Sequence, residues 1–149
     1  MEQKIEIFNK INNFGNDNGM KLRVIEPGLI EYTMKVKKEH LSSPTTAHGG
    51  VIAALMDSVL GVGALSLAFK ENRLVSTVEF KINFFHPVNF GDILIGKSKV
   101  EYQGKRIIAT SGEIHCKRRN LLVAIGLGTF NSYPLDKASV RDIFSHNES

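Results

Sequence analysis

The spacing of hydrophobic residues along this chain changes period several times, and each change marks a different predicted element. Within residues 3–14 the apolar side chains recur at roughly helical spacing, which predicts a short amphipathic helix. From residue 22 onward, apolar and polar residues alternate, and Pro27-Gly28 interrupts the alternation as a turn would. Residues 22–36 therefore predict a β-hairpin.

Residues 49–69 form the most unusual segment, because every residue there is apolar, Gly or Ser except Asp57. Such a segment is either a membrane-spanning helix or a helix surrounded by protein on all sides. An acidic residue near the centre of a bilayer costs several kcal/mol, and several glycines dilute the apolar character. The pattern that follows is typical of strands, not of a second span, so we expect a buried central helix.

The rest of the chain predicts long strands joined by short turns. Alternating segments separated by Gly, Asn and Lys-Arg turns indicate an antiparallel meander, and these segments are residues 74–85, 92–102, 106–116 and 121–131. One buried helix with an antiparallel sheet of five or six strands is an α+β arrangement, in which the helix must lie in the concavity of a curved sheet.

Length and composition fit one domain and narrow the function classes. The 149 residues predict a single domain with a core over about 20–133, a short N-terminal helix and a frayed polar tail after Pro134. Cys116 is the only cysteine, which excludes an internal disulfide, and the N-terminus lacks a signal-peptide pattern, so we expect a cytoplasmic protein. The net charge of +4 is small, and we expect no nucleic-acid partner and no membrane span. We also expect no metal site, since no histidine has metal-ligand spacing.

Two segments carry a specific motif: residues 47–57, which read AHGGVIAALMD, and residues 76–88, which read STVEFKINFFHPV. Together they resemble hot-dog acyl-CoA thioesterases, in the phenylacetate-degradation (PaaI-like) branch of the 4-hydroxybenzoyl-CoA thioesterase superfamily. The similarity of pattern runs from about residue 22 to residue 130. It implies a hot-dog fold, a curved antiparallel sheet wrapped around the long helix. It also implies hydrolysis of an aryl or aliphatic acyl-CoA to a carboxylate and CoA, with no cofactor beyond the CoA of the substrate.

Two parts of the first motif, Gly49-Gly50 and Asp57, are candidate catalytic groups on physical grounds as well. Asp57 is the sole charge in a buried helix, so either a partner satisfies it, as in a structural Asp bonded to an amide or a Ser, or catalysis uses it. Gly49 and Gly50 begin the helix, where free backbone N–H groups favour the developing charge of an oxyanion. Eight residues of helix separate Gly49 from Asp57 by about 12 Å. One thioester carbon cannot contact both, so we expect a homodimer in which each site takes one group from each chain.

The resemblance implies a role for each residue of the motifs. The Gly49 amide would polarise the thioester carbonyl, and His48 would hold the turn or touch the substrate. Asp57 would act as general base or as nucleophile, which the sequence leaves open. Thr77, which strict alternation of residues 74–85 places on the mostly polar face of its strand, would hold the attacking water. Without the resemblance it is an ordinary strand residue. Ser42 stands where relatives often carry an Asn that assists at the carbonyl.

The sequence leaves several substrate contacts and two rival functions open. Gly50 is expected to contact substrate, and the basic turn residues Lys105, Arg106 and Arg118 are candidates for the CoA phosphates, with solvated turns as the alternative. The rival functions are a hot-dog dehydratase or hydratase and a non-catalytic acyl-CoA-binding protein. Neither the acyl group nor the pairing of dimers into a dimer of dimers is fixed by the sequence.

Overall fold

The structure is a computed structural model that describes residues 1–145 of the chain. Its elements follow the order two short helices, hairpin, long helix, four long strands and a short final helix. The helices are α1 (Glu2–Ile11), α2 (Asn13–Asp17), α3 (Gly49–Ala68) and α4 (Arg141–Ser145), and the strands are β1 (Lys21–Glu26), β2 (Leu29–Lys35), β3 (Arg73–Phe84), β4 (Ile93–Gln103), β5 (Ile107–Cys116) and β6 (Leu121–Pro134).

One six-stranded antiparallel sheet curves around α3, as the pattern and the resemblance predicted. The strand order is β1-β2-β4-β5-β6-β3, so β1 and β3 form the two edges. The helix contacts five strands, β2 to β6, and its apolar side chains fill the main core. Pro27-Gly28 joins β1 to β2 as predicted, with Gly28 at φ +85°, a backbone conformation that glycine adopts readily.

The helix α3 is the segment that raised the membrane alternative. Among residues 1–145, only Gly49–Glu71 is long and apolar enough to cross a bilayer. More than half of the α3 side chains are buried within the protein, on the concave side of the sheet. The segment is therefore the buried core helix, which confirms the interpretation made from Asp57 and the glycines.

Close contact between α3 and the sheet depends on glycines in the strands. A Cβ atom on Gly126 of β6 would lie 2.8 Å from Met56 Sδ, and one on Gly96 of β4 would clash with Val59. From the sheet, Ser98 donates a hydrogen bond of 2.6 Å to the carbonyl oxygen of Val59. The helix is thus seated directly on the strand backbones, and its axial position is fixed by hydrogen bonds as well as by apolar packing.

The N-terminal region corrects the prediction of a single helix over residues 3–14. The chain breaks at Asn12, whose side-chain oxygen accepts from the amide of Gly15 at 3.1 Å and caps the second, shorter helix α2. Asn is a preferred N-cap residue, so the side chain competes with continuation of α1. Ile5 and Ile7 are buried as the spacing predicted, whereas Ile11 is 42% exposed.

The C-terminal segment corrects the prediction of a polar tail after Pro134. Leu135, Ala138 and Phe144 are buried in a second apolar cluster, where the Phe144 ring lies 5.6 Å from that of Phe69. Three apolar side chains spaced among polar ones are enough to hold this segment against α1 and the end of α3. The predicted fraying concerned residues 145–149; Ser145 closes α4, and residues 146–149 lie outside the described residues.

A β-bulge in the edge strand β3 corrects the prediction of which residues share a face. Thr77 pairs with Phe130 and Glu79 with Thr129, so Val78 is the extra residue and is 57% exposed. An inserted residue reverses the alternation of a strand. Thr77 therefore points to the helix side, together with Phe80 and Ile82 beyond the bulge, and not to the polar face assigned from strict alternation.

Candidate active site

The N-terminus of α3 presents one free backbone donor. His48 is the N-cap residue, and its Nδ1 accepts from the amide of Gly50 at 2.7 Å. The Gly49 N–H has no acceptor among the described residues, and a Cβ on Gly49 would meet no atom within 4 Å. A Cβ on Gly50 would lie 2.8 Å from His48 Nδ1. The two glycines thus differ: Gly50 makes room for the cap, and Gly49 faces open space with a free amide.

The hydrogen bond between His48 and Gly50 determines which amide of this turn is free. His48 holds the turn, in agreement with one of its two predicted roles, and the amide of Gly50 is occupied within the chain. Because unpaired N–H groups at a helix start attract negative charge, the free donor for a carbonyl oxygen is that of Gly49. The expected contact of Gly50 with substrate stays a prediction, and its amide is not available for that contact.

Two neighbouring segments hold the turn before the helix. The amide of Ala47 donates to the carbonyl oxygen of Val88, and the amide of His48 donates to that of His40, both at 2.8 Å. Ser42 lies in the preceding exposed loop, where its amide donates to Thr46 O at 3.0 Å. Its hydroxyl makes no hydrogen bond within residues 1–145, and Ser42 lines neither of the two cavities beside the helix start described below. The structure of this chain thus does not bring Ser42 to Gly49.

His40 is a buried neighbour of the helix start whose position the sequence did not predict. Its ring is buried, Nδ1 accepts from the amide of Lys37 at 3.0 Å, and Nε2 lies 2.9 Å from Asn18 Oδ1. The first bond places the ring proton on Nε2, which then donates to Asn18. Burial, with the nearby Lys37 charge, lowers the pKa of His40. A lone histidine in a Lys-Glu-His turn carries no motif, so no signal in the sequence pointed to this position.

Asp57 and Thr77 are brought together as the resemblance implied. Asp57 lies in the third turn of α3 and is half-buried, and its Oδ1 accepts from the Thr77 hydroxyl at 2.9 Å. Among residues 1–145, none of the ion pairs includes Asp57. The carboxylate is therefore oriented by a hydroxyl, without a neutralising cation, beside the unpaired edge of the sheet.

Gly49 and Asp57 lie on the same continuous helix, eight residues apart. At 1.5 Å of rise per residue their backbone positions are separated by about 12 Å. A water molecule bound to the carboxylate cannot also reach a carbonyl carbon held at the Gly49 amide of the same chain. The two candidate groups of one chain therefore lie too far apart to act on the same carbonyl carbon.

An ion pair between the buried Asp92 and the half-buried Arg119 fixes the loop between β3 and β4, next to Gly49. Arg119 Nη2 lies 2.6 Å from Asp92 Oδ2 and 2.9 Å from the carbonyl oxygen of Pro87. The amide of Asn89 also donates to Asp92 Oδ2, at 2.8 Å. Burial opposes ionisation of this carboxyl, and the Asn89 amide and the Arg119 guanidinium together hold the pKa of Asp92 below its usual value. In sequence Arg119 was indistinguishable from the other basic residues of its turn.

Two cavities flank the start of α3. The first, called here the N-terminal cavity, is about 390 Å³ and lies between residues 14–20, the end of β2 and the first turns of α3, with His48 and Gly50 at its rim. The second, called the loop cavity, is about 350 Å³ and is lined by Gly49 and by residues 84–88. A wider depression of about 660 Å³ lies on the outer face of the sheet, around Ile125 and Leu127, on the side away from α3.

The basic residues predicted for CoA phosphates lie at opposite ends of the sheet. Lys105 and Arg106 precede β5, and Arg118 follows it, so the ten residues of β5 hold them about 30 Å apart. Arg118 lies at the end that carries Gly49, close to Gly91 in the loop after β3. All three side chains are exposed. They cannot form one phosphate site within this chain.

Among residues 1–145, no group of three or more His, Cys, Asp or Glu side chains is placed to hold a metal ion. His115 pairs with Glu113 at 2.9 Å, and His86 lies 2.9 Å from the carbonyl oxygen of Leu122. These two histidines are engaged in local contacts of the sheet and its loops.

Known proteins resemble this chain in sequence and in structure. Residues 45–123 match the family model described as thioesterase superfamily. The human acyl-coenzyme A thioesterase 13 is 28% identical over 132 residues, which cover 87% of this chain and 91% of that protein. A protein of Caenorhabditis elegans described as a putative esterase is 28% identical over 138 residues, covering 90% and 80% of the two chains.

Solved structures show the same fold at lower identity. The PaaI protein of the E. coli phenylacetic acid degradation operon superimposes with a TM-score of 0.80 at 21% identity, covering 88% of this chain and 91% of that one. A thioesterase from Haemophilus influenzae gives a TM-score of 0.79 at 19% identity, covering 92% and 94%. These likenesses confirm the hot-dog fold that the motifs implied.

Proposed function

This chain belongs to the thioesterase superfamily, and we propose that it hydrolyses acyl-CoA thioesters to a free carboxylate and coenzyme A. The observation that carries the proposal is the pair of unused polar groups on α3, a free amide at Gly49 and an unpaired carboxylate at Asp57 oriented by Thr77. The name of the human relative, an acyl-coenzyme A thioesterase, supports the choice of substrate. A chain with a single, buried cysteine suits the reducing cytoplasm, which we propose as its location.

The Gly49 amide would act on the thioester carbonyl. An N–H aimed at open space at the positive end of a 20-residue helix stabilises the oxygen as it gains negative charge. The absence of a side chain on Gly49 lets the carbonyl oxygen approach to hydrogen-bond distance. His48 supports this donor indirectly, because its bond to the Gly50 amide fixes the first turn of the helix.

Asp57 would act as general base on water. The water oxygen bonds to the carbonyl carbon while one of its protons passes to the carboxylate, and the tetrahedral oxyanion is held at the Gly49 amide. When that oxyanion collapses, the carbon–sulfur bond breaks, and the proton returns from Asp57 to the leaving CoA sulfur. Thr77 donates to one carboxylate oxygen, so its own lone pairs and the other carboxylate oxygen are left to hold the water.

The reaction requires two chains, because about 12 Å of helix separate the two groups. The edge strand β3 offers the place for the second chain. It is 12 residues long, it pairs only with β6, and it carries the exposed side chains of Val78 and Phe84. We propose that β3 and α3 of two copies lie side by side and antiparallel, so that Gly49 of one chain faces the Asp57 of the other.

Release of free thiol from a panel of short, medium, long and aryl acyl-CoAs tests the reaction. Asp57→Asn keeps the shape of the side chain and removes the base, so we expect kcat to fall by about 10²–10⁴-fold. Asp136→Asn, at an exposed acid far along the chain, is the matched control with wild-type turnover. Near wild-type turnover in Asp57→Asn would overturn the proposed role. Binding of CoA esters without turnover in the wild type would identify a non-catalytic acyl-CoA-binding protein.

An isotope experiment separates a base from a nucleophile. In a single turnover in H₂¹⁸O, a general base directs the heavy oxygen into the product acid. A nucleophilic Asp57 would instead form an anhydride with the acyl group, which releases CoA and adds the mass of the acyl group to the peptide containing Asp57. Water that attacks the Asp57 carbonyl carbon of this anhydride leaves the heavy oxygen in Asp57, whereas attack at the acyl carbon leaves it in the product acid. Mass spectrometry of the rapidly quenched peptide therefore distinguishes the two, because either the acyl adduct or the label in Asp57 identifies a nucleophile.

Mixed dimers test whether the site is shared. Asp57→Asn and Gly49→Val each disable one group, and their mixed dimer contains one intact site only if the two groups come from different chains. Random mixing should therefore restore about a quarter of the wild-type rate, since half of the dimers are mixed and each has one of two sites. No restoration, in a mixture shown by light scattering to contain dimers, would place both groups of a site in one chain. The same scattering data give the pairing of dimers into tetramers.

The basic residue proposed for the CoA phosphates is Arg118, because it lies at the end of the sheet that carries Gly49. Arg118→Ala should raise KM for acyl-CoA and leave KM for the matching acyl thioester of N-acetylcysteamine, which lacks phosphates, unchanged. Lys105→Ala and Arg106→Ala, about 30 Å away in the same chain, are the comparison variants. A larger effect from either would transfer the assignment to that end of the sheet.

A further inference from the structure

The N-terminal cavity reaches the start of α3. Its lining does not include Gly49, Asp57 or Thr77, the groups proposed for the hydrolysis. His48 and Gly50 form its rim, so a carbonyl held at the Gly49 amide has this cavity on one side and the loop cavity on the other. The loop cavity opens beside residues 84–88 and leads toward the turn that carries Arg118. With the CoA phosphates assigned to Arg118 as proposed above, the pantetheine arm would follow the loop cavity, which leaves the N-terminal cavity for the other substituent of the thioester.

The walls of the N-terminal cavity are apolar. They come from three parts of the chain: Phe14 and Met20 from the N-terminal region, Met34 from β2, and Val51, Ala54 and Leu55 from α3. Met20, Met34 and Leu55 are buried and already belong to the main core. The cavity is therefore a gap between the core and a lid of N-terminal residues, with the lining that an aliphatic chain requires.

The polar end of this cavity, formed by Asn18, Glu39 and His40, offers no unpaired cation to a substrate. The ring proton of His40 is donated to Asn18, and the amide nitrogen of Asn18 donates to the carbonyl oxygen of Phe14 at 2.8 Å. The exposed carboxylate of Glu39 forms an ion pair with Lys37, whose Nζ lies 3.5 Å from Oε1. A substrate tail that ends in a carboxylate would therefore meet Glu39 without a free positive partner, which disfavours such a tail.

Phe14 is held in place although its ring is 54% exposed. The backbone around it is fixed by the Asn12 cap, by the Asn18 bond to Phe14 O, and by the amide of Met20, which donates to Gly15 O at 2.8 Å. A large apolar ring on a fixed turn, half in solvent and half facing an apolar cavity, would be covered further by a hydrocarbon in that cavity.

We propose that the N-terminal cavity holds the acyl chain of the substrate, that this chain is neutral and aliphatic, and that Phe14 limits its length. A methylene group is about the size of a water molecule, about 30 Å³, so a volume near 390 Å³ accommodates a chain of roughly eight to twelve carbon atoms. This inference rests on the proposed thioesterase function, and it adds the substrate class and the residues that select it.

Chain-length profiles test the proposal. Each buried methylene contributes about fourfold to kcat/KM, so the wild type should rise steeply from butanoyl-CoA to decanoyl-CoA. Ala54→Leu places a larger side chain in the cavity and should lower the ratio of kcat/KM for decanoyl over butanoyl by at least about tenfold. Phe14→Ala removes the outer wall and should move the optimum to longer chains. Ile11→Ala, on α1 and outside the cavity lining, is the control with a wild-type profile.

The negative charge of Glu39 is tested with a dicarboxylic substrate. The wild type should discriminate against adipoyl-CoA relative to hexanoyl-CoA, and Glu39→Gln should reduce that discrimination several-fold. Discrimination that is unchanged in Glu39→Gln would remove Glu39 from the selection of the chain.

Non-hydrolysable S-alkyl CoA thioethers keep this test separate from that of the thioesterase function. If calorimetry shows chain-length-dependent binding that Ala54→Leu and Phe14→Ala alter, the cavity assignment stands even where no acyl-CoA is hydrolysed. If acyl-CoAs are hydrolysed and the length profile is the same in wild type, Ala54→Leu and Phe14→Ala, the acyl chain lies elsewhere and the assignment is wrong.

Discussion

The two ends of α3 are built in opposite ways. At its start the helix has glycine, a free amide, two cavities and a cap supplied by a neighbouring side chain. At its far end Ser66 donates to Gly63 O and accepts from the amide of Gly28, both at 2.9 Å, and Phe69 is buried against Phe144. Packing at the far end, called here the closed end, holds the helix in place. The start of the helix, called here the open end, can therefore keep polar groups that have no hydrogen-bond partner. Stability and chemistry should therefore respond to different residues of one helix.

The largest effect is expected from Phe69→Ala at the closed end. Phe69 is 1% exposed, and truncating a buried aromatic ring should lower the free energy of unfolding by about 3–5 kcal/mol. Urea denaturation measures the loss. Phe90→Ala, at a ring that is 58% exposed, is the control and should stay within about 0.5 kcal/mol of wild type. Equal losses in the two variants would contradict the closed packing described for this end.

A smaller loss is expected from Ser66→Ala. The change leaves the buried amide of Gly28 without its acceptor, which should cost about 1–3 kcal/mol of unfolding free energy. Ser139→Ala, at an exposed serine, should be close to neutral in the same urea titration. Were Ser66→Ala as stable as Ser139→Ala, the hydroxyl would not be an anchor of the β1–β2 turn.

Gly49→Ala should lower activity without lowering stability, and it should thereby distinguish the open end of α3 most clearly from the closed end. Its Cβ meets open space, so stability should be unchanged or rise by up to about 1 kcal/mol. The added methyl group crowds the free amide, and we expect kcat/KM to fall about tenfold, which corresponds to about 1.4 kcal/mol. Gly63→Ala should do the reverse, because its Cβ would lie 2.5 Å from Ser98 Oγ, and should cost about 1–3 kcal/mol of stability. Loss of stability in Gly49→Ala would show that the open end also supports the fold.

The smallest effect is a dependence of stability on pH through His40. Its pKa is lower in the folded protein than in the unfolded chain, chiefly because of burial, with Lys37 adding to the shift and Glu39 opposing it. The unfolded chain therefore binds the proton first, and stability should decrease as the pH falls below about 6.5, the ordinary histidine value. In urea titrations from pH 8 to pH 5, His40→Asn should lose this part of the slope. An unchanged slope would show that other groups cause it.

The sequence predicted the elements whose signal is repeated over many residues. Twenty residues of near-continuous hydrophobicity identified α3, and Pro27-Gly28 marked the hairpin turn, because both signals depend on local composition. The short helix α2 and the folded C-terminal segment were missed. The side chain of Asn12 caps α2, and Leu135 and Phe144 fold the C-terminal segment back through contacts with α1, which no local pattern reveals.

The same distinction applies to the candidate site. The motifs pointed to Gly49, Asp57 and Thr77, and the helical rise showed that one chain keeps the first two apart. The sequence could not show that His48 occupies the Gly50 amide, since that depends on the orientation of a side chain. Nor could it separate Arg119, which holds the loop beside Gly49, from the exposed Arg118 one residue before it.

The bulge at Val78 divides β3 into two stretches whose side chains serve different parts of the molecule. Residues before it place Thr77 against Asp57, while residues after it place Phe80 and Ile82 in the core. Deleting one residue between them would rotate the first stretch by half a turn relative to the second and turn Thr77 away from the helix. Substitutions before the bulge should therefore be tolerated independently of those after it, whereas an insertion or deletion at the bulge should not be tolerated. The spacing between Thr77 and Phe80 is thus the quantity that natural variation and redesign of this strand must keep.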